Sequence, residues 1–264
     1  MKAFFQRRIL LRMAAALVAI LIAAVAFLWF FALPLEARYW GRQMPILHET
    51  PIPLKNTAVA DSPGRKMAFC GAEFEIPWSD VNDSKTKSGV NSTILFFDSG
   101  LVATIKCEPP REFVDGVIES IHVNREKFRR AYGDRNVESD YALTRLMLET
   151  TPGSVRAFSS HRAQGPMMSL LVLKAMGTPR ADTGIFSIHA AEFDGFQYED
   201  PAAGSSPVVM NLFADDRGLE FEFFLKYHGA SAHLSQPEIN RIVQTLHKVG
   251  PYPAPKPASA VASQ

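Results

Sequence analysis

Histidine is the usual base and metal ligand near neutral pH, so the seven imidazoles are the first groups to weigh. They are His48, His122, His161, His189, His228, His233 and His247. None forms an HExxH pattern, whose paired histidines would share one helix face around zinc. His228 and His233 flank Gly229-Ala230-Ser231-Ala232 and read as solvated loop residues. Ser159-Ser160-His161-Arg162 sets a hydroxyl beside an imidazole. Adjacent residues seldom present both groups to each other, and no GxSxG elbow supports a nucleophile. A helix N-cap at Ser159 or Ser160 is the plainer reading. Among carboxylates, Asp215-Asp216 sit in a turn, where Asp serves the backbone. Glu220 and Glu222 share the wet face of one strand. A glycosidase would need two such groups brought together in a cleft. There is no Walker A loop, GxGxxG or CxxC. The sequence therefore assigns no catalytic residue, no cofactor-binding residue and no metal ligand, and it calls for no cofactor.

Three other residues stand out. Cys70 and Cys107 are the only cysteines. In an oxidising compartment they pair if their strands lie side by side, closing a loop that stabilises by about 4 kcal/mol in the chain-entropy account. Otherwise they are two small buried hydrophobes. Trp78 follows Pro77 at a strand end, beside a polar loop running to Asn91. Such a Trp serves as a contact anchor for a partner or packs against the edge of the core. Asn82-Asp83-Ser84 and Asn91-Ser92-Thr93 fit the N-glycosylation pattern, which matters only in a eukaryotic secretory route.

The strongest signal is topological. Met13 to Leu35 is a run of 23 residues without a charge. As a helix it spans about 35 Å, enough to cross a hydrocarbon core of about 30 Å. Lys2, Arg7, Arg8 and Arg12 precede it with no acidic residue among them. The positive-inside rule then keeps residues 1–12 in the cytoplasm and exports the rest. Trp29, Phe30, Phe31, Tyr39 and Trp40 crowd the outer end, where amphipathic rings favour the headgroup region. The run reads as an uncleaved signal anchor. The competing reading is a signal peptide cleaved near Ala24-Val25-Ala26, although the apolar stretch continues through Leu35. Either way the main domain is extracytoplasmic, periplasmic in a Gram-negative cell.

Beyond Leu35 the chain has 229 of its 264 residues, a size for one domain with tails. That part holds all 27 acidic residues and all but four of the 28 basic ones, a net of −3 with no block of like charge. Nucleic acid and anionic lipid are poor candidates for its main partner. Residues 36–66 contain four prolines and read as a stalk or an extended segment lying on the domain. Residues 67–250 carry the fold. Residues 251–264 are a Pro/Ala-rich tail with too little apolar surface to fold.

Within 67–250, Met67–Ile76 reads as a strand stopped by Pro77. Thr93–Phe97 and Leu101–Cys107 flank Asp98-Ser99-Gly100 as a hairpin. Apolar residues at Phe113, Val114, Val117, Ile118 and Ile121 give a helix, with Gly133 as a stop after Tyr132. A second helix opens at Ser139 or Asp140. Thr151-Pro152 opens a short turn. Met167–Met176 is apolar nearly all round and should be the most buried helix. Ile185–His189, Phe193–Tyr198, Val208–Phe213 and Leu219–Tyr227 return to strands, the last with strict period two. Ser235-Gln236-Pro237-Glu238 is a capping box opening a helix through Ile239, Ile242, Val243 and Leu246 that ends at Gly250.

Strands, then helices, then strands and a closing helix give an α+β class: an antiparallel sheet with helices packed on it, preceded by one transmembrane helix. In element order the domain resembles the Mog1/PsbP-like sandwich, matched at Phe74-Glu75-Ile76-Pro77-Trp78, the late hairpin and Ile239–Leu246. That resemblance implies an antiparallel meander closed by a helix on the sheet. Without catalytic motifs, the expected role is a non-enzymatic binding or assembly module with a protein partner. The alternative is a hydrolase whose His/Ser or carboxylate site is assembled from distant segments.

Overall fold

The computed structural model describes residues 2–55, 57–61, 64–179, 184–203, 207–225 and 234–252. The loop histidines His228 and His233, and the tail beyond Tyr252, lie outside the described residues. The chain divides into two compact units, 1–48 with 150–177, and 49–149 with 178–264. This departs from a single domain over 67–250.

The first unit is built on α1 (Lys2–Gln43), one helix that contains the apolar run and continues eight residues past Leu35. Ala16–Gln43 is long and apolar enough to cross a membrane or act as a signal anchor. Toward its C-terminal end α1 carries a stripe at helical spacing: Leu33, Ala37, Trp40 and Met44 pack with Leu47, Val155, Met168 and Leu171. Met168 and Leu171 come from α6 (His161–Gly177), which follows a short 3-10 turn at Pro152–Ser154. Thr151 and Ser154 cap that turn reciprocally. α1 and this turn come close because Gly41 has no side chain: a Cβ there would stand 2.6 Å from Pro152 Cγ. α6 is not the most buried helix expected. Met176 is 82 % exposed, whereas Lys174 is fully buried and donates to the carbonyls of Thr150 (3.0 Å) and Leu47 (3.5 Å).

Pro34 sits inside α1. Having no N–H, it cannot donate to the carbonyl four residues back, that of Phe30. The side chain of Gln164, 1 % exposed, donates Nε2 to this carbonyl (3.2 Å) and to that of Arg156 (2.9 Å).

The second unit is an α+β structure with a large sheet covered on both faces. Its larger sheet contains β1 (Ile52–Pro53), β4 (Lys87–Ser88), β5 (Ser92–Phe96), β6 (Leu101–Glu108), β7 (Ile185–His189), β8 (Asp194–Tyr198), β9 (Val208–Ala214) and β10 (Arg217–Leu225). Their spatial order is β1-β7-β8-β9-β10-β6-β5-β4. Every neighbour is antiparallel except β1 and β7, which run parallel, so the sheet is mixed. A two-residue strand containing Pro is tolerated here because it lies at an edge. A second sheet has order β11-β3-β2, from β2 (Arg65–Phe69), β3 (Ala72–Ile76) and β11 (His247–Lys248). The expected single strand over 67–76 is thus a tight hairpin, with Cys70 and Gly71 both at positive φ (54° and 65°).

One face of the large sheet buries alternate residues of its central strands, Ala103, Ile105, Leu219, Phe221, Phe223, Met210 and Leu212 among them, against the small sheet and α7 (Gln236–Thr245). Phe74 meets Phe221 edge-on at 5.2 Å. The capping box at Ser235 and Glu238 is formed. α7 ends at Thr245, earlier than Gly250, because the chain turns extended to pair β11 with β3. On the opposite face lie α2 (Glu112–Ser120), α3 (Arg125–Tyr132), α4 (Asp134–Glu138) and α5 (Asp140–Glu149), with Tyr141 stacked on Phe196 at 5.4 Å. α2 and α3 are separate because His122 takes a positive φ and Asn124 caps a new helix through Lys127 N. Residues 36–66 are no free stalk. They end α1, form β1, and run along α7, where Asn240 and Arg241 donate to the carbonyls of Ala58 and Ala60 (2.7 Å each).

Two substitutions test these packings. Gly195 on β8 lies so close to β9 that a Cβ would stand 2.0 Å from the Asn211 carbonyl oxygen. Gly195→Ala should lose on the order of 3 kcal/mol of stability, read by chemical unfolding of the full chain in detergent. Gln164→Leu strips the buried Phe30 carbonyl of its donor, at a cost of about 1–3 kcal/mol. It should speed tryptic cleavage at the exposed Arg156 and Arg162 while leaving cleavage in 184–225 unchanged.

Candidate functional site

Two recesses in the second unit gather residues from distant segments. The first has a volume of about 320 Å3 and opens between the start of α5 and the ends of β8, β9 and β10; it is lined by Arg111, Glu138, Asp140, Tyr141, Asp194 and Arg217 with their neighbours. Most of these polar groups are committed to holding the fold. Arg111 stands at the N-cap of α2 in the left-handed region and makes no side-chain cap. The vacant capping role is filled from α5: Asp140 Oδ1 accepts from Val114 N at 2.9 Å. Burial raises the Asp140 carboxyl above its ordinary value, against the lowering effect of the backbone amides of Val114, Phe113 and Arg111. Glu108, at the end of β6, is raised by burial and then by the charges of Glu220 and Asp140.

Arg217 is enclosed on all sides. It donates to both carboxylate oxygens of Asp216 (3.1 and 2.6 Å), to the Cys70 carbonyl, and to the Gly250 carbonyl (2.7 Å). Its bonds hold the Asp216 carboxyl below the usual range. At the rim, His189 Nδ1 and Asp194 Oδ1 face each other across β7 and β8 at 2.8 Å, both well exposed.

The second recess lies on the other face and is the more open to a ligand. It has a volume of about 390 Å3, bounded by Pro53 and Leu54, by Ser187, Ile188 and His189 of β7, and by Asn240, Val243 and Gln244 of α7, with Thr57 beside them. Its wall is the outer side of β7, which the edge strand β1 covers only in part. Ala190 N bonds to Phe193 O (2.8 Å) and Glu199 N to Gly184 O (3.1 Å). Hydrogen-bonded pairs alternate in an antiparallel ladder, so Ile185, Ser187 and His189 turn their main-chain groups away from β8. β1 pairs with this edge at Phe186 and Ser187, and no further strand lies beside it among the described residues. Ile188 and Val243 supply an apolar floor, and Asn240 and Gln244 a polar rim.

Comparison with known protein families, characterised proteins and solved structures finds no match.

The residues singled out by sequence fall elsewhere. Cys70 and Cys107 are joined in a disulfide, with Cα atoms 6.3 Å apart, linking the β2–β3 turn to β6. Trp78 is half-buried and lies against the core, its ring 5.6 Å from both Phe97 and Phe223. Asp215 lines the first recess, whereas Glu220 is tied to Lys106 on the sheet (2.5 Å). Among the described residues no group of three His, Cys, Asp or Glu side chains is placed to hold a metal ion. The groove beside β7 went unseen because its walls come from three distant stretches of chain. No local pattern marked it, since Ile185–His189 reads as an ordinary strand followed by its partner β8.

Raised carboxyl pKa values have a definite sign. A group whose folded pKa lies above its unfolded value favours folding below the unfolded value, about 4 for a carboxylate, and loses that contribution as pH rises through the folded value. Glu108→Gln should therefore gain stability relative to the parent between about pH 4 and pH 7. Urea unfolding at both values checks this, and an equal difference at the two would contradict it.

Proposed function

We propose that this chain is a single-pass membrane protein, anchored by residues 13–35 with its N-terminus in the cytoplasm, whose extracytoplasmic unit binds an extended segment of a partner protein. The observation that carries the reading is the groove between β7 and α7. An open strand edge offers main-chain donors and acceptors to an added strand, and the adjoining helix and Ile188 provide side-chain pockets that select it. Edge strands left uncovered are otherwise blunted by charge, bulges or cover. Here the cover stops at Pro53. The net acidity of the exported part favours a partner segment of neutral or basic character.

A second reading is a hydrolase using His189. Its Nδ1 faces Asp194, the arrangement that orients an imidazole for proton transfer through Nε2. That reading expects turnover of a simple activated ester, lost in His189→Gln.

Photocrosslinking in the producing cell separates the two. A photoreactive residue at Gln244 should give a discrete adduct, and one at Val90, a well-exposed position away from the groove, should not. His189→Pro removes one outward amide without touching the ladder to β8, and should abolish the adduct while the unfolding midpoint moves little. Equal crosslinking at both positions, or an adduct indifferent to His189→Pro, would count against strand addition.

A further inference from the structure

Phe158 is 73 % exposed and holds a positive φ of 63°, a conformation that bulky residues avoid. Its ring is not isolated. It meets Phe31 edge-on at 4.9 Å and Phe30 at 5.9 Å, and Phe31 stacks on Phe27 at 5.1 Å. Phe27, Phe30 and Phe31 all belong to the apolar run that ends at Leu35. At a rise of about 1.5 Å per residue, Phe30 and Phe31 lie roughly 6–8 Å inside that end. A side chain fixed against them is held at the same height, the depth at which interfacial elements bury their apolar face.

The backbone gives an independent sign. The Phe30 carbonyl, released by Pro34, is answered by the enclosed amide of Gln164 rather than left open. Water would satisfy such a carbonyl without help; hydrocarbon would not. The residues bracketing Phe158 are also suited to the boundary: Arg156 and Arg162 are exposed, as guanidinium groups facing headgroup phosphates would be.

We propose that the turn around Phe158 and the first turn of α6 insert into the outer leaflet beside α1, so that the protein meets the bilayer through two elements. The occupant of this apolar surface is the lipid that surrounds the span, because the surface is continuous with it. The inference rests on the reading of residues 13–35 as a membrane anchor.

The test uses the full-length protein in vesicles of phosphatidylcholine and phosphatidylglycerol at three to one. Nitroxide labels are placed singly through Leu21→Cys, Phe158→Cys, Ala163→Cys and Val90→Cys, the native cysteines being joined to each other. Accessibility to oxygen is compared with accessibility to a water-soluble nickel complex. Positions 21 and 158 should favour oxygen, 158 the shallower of the two, and position 90 should favour nickel. Ala163, exposed on the first turn of α6, repeats the measurement with the Phe158 ring in place and should favour oxygen, less strongly than position 158. Nickel-favouring values at 158 and 163 with an oxygen-favouring value at 21 would overturn the insertion and leave the anchor standing. Nickel-favouring values at 21 as well would overturn both.

Discussion

Arg217 carries a full charge in a place closed to water, and the surroundings answer it from three directions. Asp216 supplies the counter-charge, while the carbonyls of Cys70 and Gly250 take the remaining donors. Those carbonyls belong to the β2–β3 turn and to the stretch after β11, the two ends of the small sheet. The planar guanidinium thereby fixes where the small sheet meets β10 on the large one. Gly71 is required beside it, since a Cβ there would stand 2.6 Å from the guanidinium nitrogen. The disulfide from Cys70 to β6 fastens the same corner. With that corner set, α7 has one way to lie across the remaining apolar face, and its inner edge becomes the wall of the groove beside β7.

The first unit depends on a different constraint. A proline inside a long apolar helix frees a carbonyl, and a side chain from a segment far along the chain takes it up. Gly41 lets the backbones approach, and Lys174 closes the end of the packing through two carbonyls. Polar groups here serve main-chain atoms rather than each other, as expected where solvent cannot help.

What could be read from sequence was what is encoded locally. Leu219, Phe221 and Phe223 alternate with Glu220 and Glu222, and β10 follows with its inner face buried. Ser235 with Glu238, and Thr151 with Pro152, marked helix starts that the structure contains. The apolar run gave the membrane-competent helix, though its true length was hidden because Pro34 resembles a stop and Trp40 resembles only an interfacial ring. The remainder depends on distance. Asp140 caps a helix that began 28 residues earlier, Gln164 serves a carbonyl 134 residues back, and β1 pairs in parallel with a strand on the far side of the helical region. None of these partners leaves a periodic trace. The groove belongs to the same class, which is why histidines and Trp78 drew attention first and the edge of β7 drew none.

The first unit is made from the two ends of an interrupted stretch, with 49–149 emerging from the ribosome between them. The stripe on α1 at Leu33, Ala37, Trp40 and Met44 is thus synthesised more than a hundred residues before α6, which covers it. For that interval the helix end lacks the cover that α6 gives it, and β6, already paired with β5, waits for β10 on its other side. Assembly is therefore completed late in both units: each needs sequence beyond residue 160 before its core can close. A chain truncated at residue 149 would keep its long apolar helix and its first hairpins and would complete neither unit.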